Sequence, residues 1–534
     1  MFASRLAVAQ QTEPVSTWTP LRIGVFRAMW IAVLVSNIGT WMQAVGAQWL
    51  VVHLPHAAIL VSLVQAADYL PDVLFAIVGG VLADIFDRRL ILIVVQLALA
   101  VVGLALTVLT YLGEMPPALL LTFTFVIGTS SVFTNPAFQS LVPDLVPREQ
   151  LRAASNLSGI SINVARLVGP ALAGVLIARL GVAAVFGANA ATYLFFGIVV
   201  LLWRPERSSR PQLPERFLSA IRAGSRYVRN APVVRRVLVR SAVFLVPGSV
   251  LWALLPLVAT QRLHLGATGY GILLGALGAG AIVGALVLPR LQRARLSSNA
   301  MLTVSSCAYA AVTVIVALVP SYPLAIGVLI VAGVAWIVVF ATLNAELQLF
   351  LPAWVRARGL SVYQMVLFGA QAVGAVLGGL IAEPFGIEFA LVIAACAMIA
   401  GAATIWWWPL IETAGWDRST VAWPEPHLVF DAAPAEGPVV VRTMYTVSQE
   451  RERDFLEAME LVRQSRLRTG ATQWGLFRDG DQLHRFVELF VVPSWEEHLR
   501  QHRYRQTGTD RDFEERAIAL SDTPPETAHW IAVE

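Results

Sequence analysis

Lysine is missing from this 534-residue chain, and all 39 basic side chains are arginine. A P-loop phosphate clamp, a Schiff-base catalyst and a pyridoxal-phosphate anchor each need a lysine amine, so all three are excluded. With them goes any pump that draws on ATP through a P-loop of its own. Charge is scarce as well: 14% of residues carry it, against about 25% in an ordinary soluble domain. Two cysteines occur, Cys307 and Cys396, both inside apolar runs. Such residues are expected to be small buried hydrophobes and not disulfide partners. The net charge of +4 gives nucleic acid no foothold as a partner. Met1–Arg22 has no sustained apolar core before its prolines, so no cleaved signal peptide is expected.

What the chain has instead is apolar length. Hydrophobic residues make up 57% of it, and twelve runs of about 20 residues lie between Phe26 and Trp408, each long enough to cross a bilayer. Arginine in the short loops sets their orientation. Even-numbered loops carry Arg88 and Arg89, then Arg148 and Arg152, then Arg290, Arg293 and Arg295, then Arg356 and Arg358. The segment between Trp203 and Arg240 alone holds ten arginines against Glu206 and Glu215. Odd loops hold little beyond His53, His56, Glu114, Arg179, Arg262, Glu383 and Glu388. Even loops and both termini are therefore expected in the cytoplasm, the chain lying in the inner (plasma) membrane.

An offset of 205 residues relates the two sets of runs. It superposes Gly79 on Gly284, Gly128 on Gly333, Pro147 on Pro352, and the series Gly169, Gly174 and Gly181 on Gly374, Gly379 and Gly386. Two six-span halves with a binding site near the midplane is a transporter plan. The expected organisation is an N-terminal tail (1–22), a first six-helix bundle (23–203), a basic linker (204–236), a second bundle (237–410), a short linker (411–437) and a charge-rich soluble domain (438–534). Within the basic linker, Arg216–Arg229 places Phe217, Leu218, Ile221 and Val228 near one helical face, suited to the anionic inner leaflet or to a solvated linker.

The soluble domain reads as strand Val439–Val447, helix Glu450–Arg468, strands Gln473–Phe477 and Arg485–Val492 about a turn at Asp479-Gly480, helix Ser494–Arg503 and a last strand near His529–Val533. Ser494 with Glu497 has capping-box spacing, and the order β-α-β-β-α-β is ferredoxin-like. His498 and His502 have metal-compatible spacing, but no third ligand accompanies them. Glu496, Glu497 and Arg500 argue for a solvated face, and no metal or cofactor is expected.

The loop after span two, Gly80-Val81-Leu82-Ala83-Asp84-Ile85-Phe86-Asp87-Arg88-Arg89, resembles the signature loop of the major facilitator superfamily. Gly80, Leu82, Ala83, Asp84, Arg88 and Arg89 match it, while Ile85 and Asp87 depart. The resemblance implies a cytoplasmic latch that helps set the inward/outward equilibrium. In span five, Gly169-Pro170-Ala171-Leu172-Ala173-Gly174 resembles the G-P-x-x-G core found in that superfamily's antiporters. The stretches from Asn135-Pro136 through Pro147-Arg148 to Asn163-Arg166 resemble the exporter branch that includes the bacterial enterobactin exporter. The soluble domain is similar to the dimeric α+β barrel of antibiotic-biosynthesis monooxygenases, which makes it a candidate regulatory or homodimerisation module.

Ionisable groups inside spans mark the candidate site. At 1.5 Å per residue, Asp68 and Asp72 lie about 24 and 18 Å above Asp84, and Arg166 lies about 21 Å above Arg152, all near mid-depth. A charge there costs roughly 2.5–3.5 kcal/mol, so each group needs a partner, a water-filled cavity or a function. Two carboxyls one turn apart suit proton coupling, Arg166 suits a substrate anion or a counter-ion, and Glu346 is a second coupling candidate. Asn37, Trp41, Gln43 and Gln48 are candidate cavity-lining positions, and Trp406, Trp407 and Trp408 an interfacial belt. The expected activity is export of a small organic molecule, siderophore-like or another secondary metabolite or drug, by proton antiport. The partners are then the substrate, protons and the bilayer, and the chain is not an enzyme. The alternative is a membrane-tethered enzyme or sensor whose activity resides in the soluble domain.

Overall fold

A computed structural model describes residues 16–203, 226–294, 296–413, 415–423, 426 and 428–533; at 77–85, 140 and 353 it describes the backbone only. The basic linker over 204–225 lies outside the described residues, and 226–230 is helical. The apolar runs form α1 (Gly24–Val51), α2 (Ala57–Ile85), α3 (Arg88–Tyr111), α4 (Pro117–Leu145), α5 (Leu151–Leu180) and α6 (Val182–Leu202). They continue as α7 (Pro232–Leu257), α8 (Ala267–Arg293), α9 (Ser298–Leu318), α10 (Tyr322–Phe350), α11 (Ala353–Phe385) and α12 (Ile387–Ala403). Among the described residues, eleven helices are long and apolar enough to span a membrane, and α12 is an apolar helix of 17 residues.

Outward faces explain the surplus of apolar residues. On α3, Leu90, Val94, Leu97, Val101, Leu104 and Val108 recur every three or four positions, and all are exposed. In water such a stripe would be a liability; against lipid it is the solvent-facing side. Cys307 and Cys396 lie on exposed faces too. The expectation that they are buried fails because in a bilayer an apolar residue need not point inward.

The 205-residue offset reappears in the packing. Gly181 and Gly386 both end a helix with positive φ (84° and 90°), a conformation that only glycine adopts without strain. A Cβ on Gly169 would sit 2.6 Å from Trp41 Cβ in α1, and Gly374 meets Val246 of α7, the position 205 residues past Trp41. Gly174 packs on Ala267 of α8, and Gly379 on Ser62 of α2, again an equivalent pair. Gly128 lies against Asp68 and Pro71 of α2, and Gly333 against Leu277 and Gly280 of α8. Helix pairs thus meet backbone to backbone, as van der Waals packing in lipid requires.

Two compact units result. The first comprises residues 1–210, 242–340 and 364–404, the second residues 211–241, 341–363 and 405–534. In the second, β1 (Val439–Thr446), α13 (Glu452–Thr469), β2 (Gln473–Arg478), β3 (Arg485–Val492), α14 (Trp495–Arg500), α15 (Gly508–Ala519) and β4 (Glu526–Ile531) build an antiparallel sheet of order β2-β3-β1-β4. Phe455, Met459 and Val462 of α13 pack with Ala517 of α15 on Tyr445 and Phe486 of the sheet.

Sequence and structure part in four places, the first being the last strand, expected near His529–Val533 and found at Glu526–Ile531. The Asp479-Gly480 turn is wider than a two-residue hairpin: Asp479 N–H donates to the Arg485 carbonyl (3.0 Å), and its carboxylate takes the Asp481 N–H (2.9 Å). The helix at Ser494 ends at Arg500 and relaxes into a π-turn over Gln501–Arg505. Helix α15 was not foreseen. It is opened by a complete capping box, in which Asp510 N–H donates to Thr507 Oγ1 (3.3 Å) and Thr507 N–H to Asp510 Oδ2 (2.9 Å).

The same unit ties the C-terminal sheet region to the ends of α10 and α11. Arg418 lies between the rings of Phe350 and Trp416, 4.4 and 4.5 Å from their centroids. Arg505 stacks over Trp354 at 5.1 Å, Tyr227 meets Trp354 edge-on at 5.6 Å, and Arg226 Nη1 donates to the Gly470 carbonyl at 2.5 Å.

The repeated glycine contacts make a prediction. Gly169→Ala and Gly374→Ala each drive a methyl into a neighbouring helix and are expected to lose about 1–3 kcal/mol. Gly159→Ala, with open space around it, should be neutral. Thermal unfolding of the purified protein in detergent compares the three; equal melting for all would remove the close-approach argument.

Candidate functional site

The site begins with a single turn of α5. Pro170 has no N–H, so the Arg166 carbonyl four residues back loses its helical donor. That carbonyl is covered by α8, where a Cβ on Gly278 would lie 2.9 Å from it. Gly169 meanwhile admits α1, and Gly174 admits the start of α8. The Gly169-Pro170 to Gly174 motif is therefore the place where α5 touches both halves at once. Arg166 projects from the same turn, half-buried, with its Cζ 5.5 Å from the Trp41 ring centroid.

From Trp41 an aromatic chain crosses into the second half. Trp41 meets Trp252 at 6.4 Å, Trp252 meets Trp336 at 5.5 Å, and Trp336 meets Tyr309 at 5.9 Å. The Tyr309 hydroxyl donates to the Gly248 carbonyl (2.8 Å), which fixes the far end. A polar chain runs beside it. Tyr270 donates to Gln48, Gln48 Nε2 to Gln65 Oε1 (3.3 Å) and Gln65 Nε2 to the Tyr69 hydroxyl (3.3 Å). Tyr69 in turn pairs with Phe368 of α11 at 5.7 Å. Further toward the odd loops, His56 and Glu383 meet at 2.7 Å, again between the halves. The described contacts between halves thus gather in the membrane-depth centre and toward the odd-loop ends.

Asp68 and Asp72 stand on α2 beside this seam, both half-buried. Ser131 Oγ of α4 donates to Asp72 Oδ2 at 3.2 Å. The α2 backbone at Asp68 is pressed against Gly128. Among the described residues no ion pair within 4.0 Å joins Arg166 to either carboxylate, and the buried Arg166 Nε has no hydrogen-bond partner. The 205-residue equivalents of Asp68 and Asp72 are Leu273 and Leu277, both fully buried. Glu346 lies on the last turns of α10, in the second unit.

The other foreseen positions have definite partners. Asn37 Nδ2 donates to Ser161 Oγ (3.2 Å), and Asn189 donates to Gln43, so both tie α1 to its own half. Gly80 and Asp84 fall in 77–85, where side chains lie outside the described residues. Arg88 Nη1 is 3.8 Å from Asp144 Oδ2 at the end of α4. Arg89 donates to the Val200 and Leu201 carbonyls (3.2 and 2.8 Å), capping the C-terminus of α6. Asp87, where the chain departs from the superfamily loop, is the N-cap of α3 and accepts from the N–H groups of Arg89 and Leu90 (2.8 and 3.2 Å). An Asp directly before an apolar run is itself a cap signal.

In the soluble domain His498 is fully buried, not solvated. Its ring packs on Trp495, Phe490, His502 and His529, with His502 4.7 Å and His529 5.1 Å away. No cluster of three or more metal-ligating side chains occurs among the described residues. The hydrophilic centre is instead Glu488, which accepts from Trp474 Nε1 (2.9 Å), Tyr445 Oη (3.3 Å) and Arg466 Nε (3.3 Å). Arg466 also clasps Glu514 with two bonds (2.7 and 3.1 Å).

A helical multi-pass membrane protein built from two packed sets of spans is the class that this fold and seam define. A family model described as a transmembrane secretion effector matches residues 15–534, and the chain belongs to that family of the major facilitator superfamily. It is 29% identical over 222 residues to the uncharacterized MFS-type transporter YfiS of Bacillus subtilis, covering 40% of this chain and 51% of that protein. Identity to the staphyloferrin A transporter of Staphylococcus aureus is 27% over 265 residues, covering 47% of this chain and 64% of that one. To the multidrug efflux pump Tap of Mycobacterium tuberculosis it is 26% over 393 residues, covering 67% and 87%. The matches thus span from about half to under two thirds of the length of the first two relatives. A bacterial homolog of the human lysosomal transporter Spinster, in an inward-facing and unoccupied conformation, superposes with a TM-score of 0.58 at 16% identity, covering 72% of this chain and 96% of that one. The nucleoside transporter NupG does so with 0.59 at 11% identity, covering 72% and 99%. At these identities the likeness is one of fold.

His498 supplies a pH prediction. Burial, reinforced by His502 and His529, lowers its pKa to about 3, whereas the unfolded side chain titrates near 6.5. The unfolded chain therefore binds the extra proton between those values. Stability of the domain is full above about pH 6.5 and falls with acidification, by up to about 1.4 kcal/mol per pH unit. Hydrogen exchange of the β3 and α14 amides in the full-length protein should show this loss of protection, and His498→Leu should flatten it. An unchanged acid slope in that variant would assign the effect elsewhere.

Proposed function

We propose that this protein is a secondary active exporter of a small organic molecule, working by proton antiport with alternating access. The observation that carries the reading is the group of half-buried ionisable side chains, Asp68, Asp72 and Arg166, on first-half helices at the seam between halves. A charge held at mid-depth is costly unless it faces water or serves a function, and a seam that opens alternately to each side supplies both. In this scheme Asp68 or Asp72 carries the proton, Arg166 meets substrate or proton, and Glu346 is the second coupling candidate. The loop bearing Gly80, Asp84, Arg88 and Arg89 latches the cytoplasmic side, and the Gly169, Pro170 and Gly174 turn is the pivot of α5. Two relatives, a multidrug efflux pump and a macrolide efflux protein, favour export over uptake.

The same reading makes α12 the twelfth span, since its 17 residues cover about 25 Å, and puts even loops and both termini in the cytoplasm of a cell-membrane protein. Inverted vesicles with an acidic lumen test it. They should accumulate at least one member of a panel of drugs and siderophores, and collapse of the pH gradient should stop the uptake. Asp68→Asn with Asp72→Asn should cut the rate at least about tenfold, as losing a general acid–base group does. Full gradient-driven uptake by the double variant sinks the carrier assignment, and indifference to the gradient sinks antiport.

The soluble domain is read as a ferredoxin-like module that pairs with a second copy. Val439, Val441 and Tyr445 face the helices, while the alternate positions Val440, Met444, Val487, Leu489 and Val491 share the other sheet face with Arg442 and stay partly exposed. An apolar face of that kind on a charged domain is an interface by composition. Light scattering in detergent should give twice the protomer mass, and Leu489→Arg should halve it; a monomeric wild type would end this reading.

A further inference from the structure

Arg166 stands inside a span without a carboxylate partner among the described residues, where other buried arginines have one or, like Arg240, a backbone carbonyl. Arg262 holds Glu388 at 2.6 Å, Arg466 holds Glu514 at 2.7 Å, Arg505 holds Glu497 at 2.7 Å, and Arg468 pairs with Asp510. Arg166 pairs with no carboxylate within 4.0 Å among the described residues, and its buried Nε finds no acceptor there. A guanidinium stays protonated in any protein environment, so an anion is what this position lacks. Packing does not demand the charge. The 205-residue equivalent of Arg166 is Gln371, whose amide merely donates to the Leu367 carbonyl at 3.2 Å, while Gly374 makes the same close approach that Gly169 makes beside Arg166.

The walls around that charge are flat. The guanidinium lies over Trp41, whose ring meets Trp252, which in turn meets Trp336. The half-buried pair Tyr69 and Phe368 stands on α2 and α11 on the same seam, ring centroids 5.7 Å apart. Rings held this way have little freedom to reshape around a puckered or branched ligand, whereas a planar one gains stacking area without reordering them. From this we infer that the seam binds a planar aromatic anion, its carboxylate or sulfonate accepting in the plane of the Arg166 guanidinium and its ring stacked against Trp41. The inference deepens the exporter reading by naming a substrate class, and it rests on that reading only for the claim that the bound anion is transported.

Binding is therefore measured apart from flux. Calorimetric titration of the full-length protein in nanodiscs compares salicylate (planar anion), cyclohexanecarboxylate (puckered anion) and benzamide (planar, neutral). Salicylate should bind about 3–10-fold more tightly than cyclohexanecarboxylate through stacking, and roughly 10–100-fold more tightly than benzamide through the charged bond. R166Q should lose the preference for salicylate over benzamide. R166K keeps the charge and guards against a folding defect; it should keep part of that preference. W41L should bring salicylate and cyclohexanecarboxylate to similar affinity. Equal binding of the three ligands by the wild type, no salicylate binding at all, or undiminished salicylate binding by R166Q overturns the inference. Salicylate binding with no gradient-driven flux of any compound sinks the exporter reading and leaves the site standing; flux of other compounds without salicylate binding does the reverse.

Discussion

In a bilayer, two apolar helices gain nothing by hiding from the solvent, since lipid tails are as apolar as leucine; they associate only where their backbones come close enough for dense contact. That constraint organises this molecule. Gly169 against Trp41, Gly374 against Val246, Gly174 against Ala267 and Gly379 against Ser62 are four solutions of one problem, and they repeat at a single offset. The first and second of these contacts hold each half together. The third and fourth join the halves, through α5 on α8 and α2 on α11. One motif, read twice, builds both the halves and the seam between them.

The candidate site is a consequence of that packing. Glycine and proline are crowded into one stretch of α5, so the helix lies against α1 on one side and α8 on the other. The residue one turn earlier, Arg166, then has no route away from the seam. Trp41 is held in place by the same approach that Gly169 permits, and so offers its face to the guanidinium. The glycines that carry stability are thereby also what position the charge, and substitution at either level should be felt at the other.

Much of this was legible in the sequence, because its physics is periodic. Glycine spacing, arginine in alternate loops and runs of apolar residues are all properties of the chain read in order, and the strands of the soluble domain announce themselves by alternation. What was hidden depends on contacts between distant segments. Trp252, Trp336 and Tyr309 look like any apolar aromatics in a span until the fold brings them behind Trp41. Gln65 and Tyr69 gain meaning only through Gln48 and Tyr270. His498 was misplaced because Glu496, Glu497 and Arg500 describe one face of a short helix, while the histidine lies on the opposite one. Cys307 and Cys396 were misplaced because burial was inferred from apolar company, a rule that holds in water and inverts in lipid.

The two halves share a scaffold but divide the chemistry. Where α2 carries Asp68 and Asp72, α8 has Leu273 and Leu277; where α5 carries Arg166, α11 has Gln371. The second half contributes Trp252, Trp336 and Phe368 in place of charge. Rocking one half against the other would then move a passive aromatic surface past a fixed set of ionisable groups. On the exporter reading, the groups proposed to trade protons and anions keep their neighbours on α1, α2, α4 and α5 throughout, and only their access to water and to the aromatic wall changes. On the exporter reading this separates coupling from gating: the first half sets which ions are exchanged, and the seam sets when.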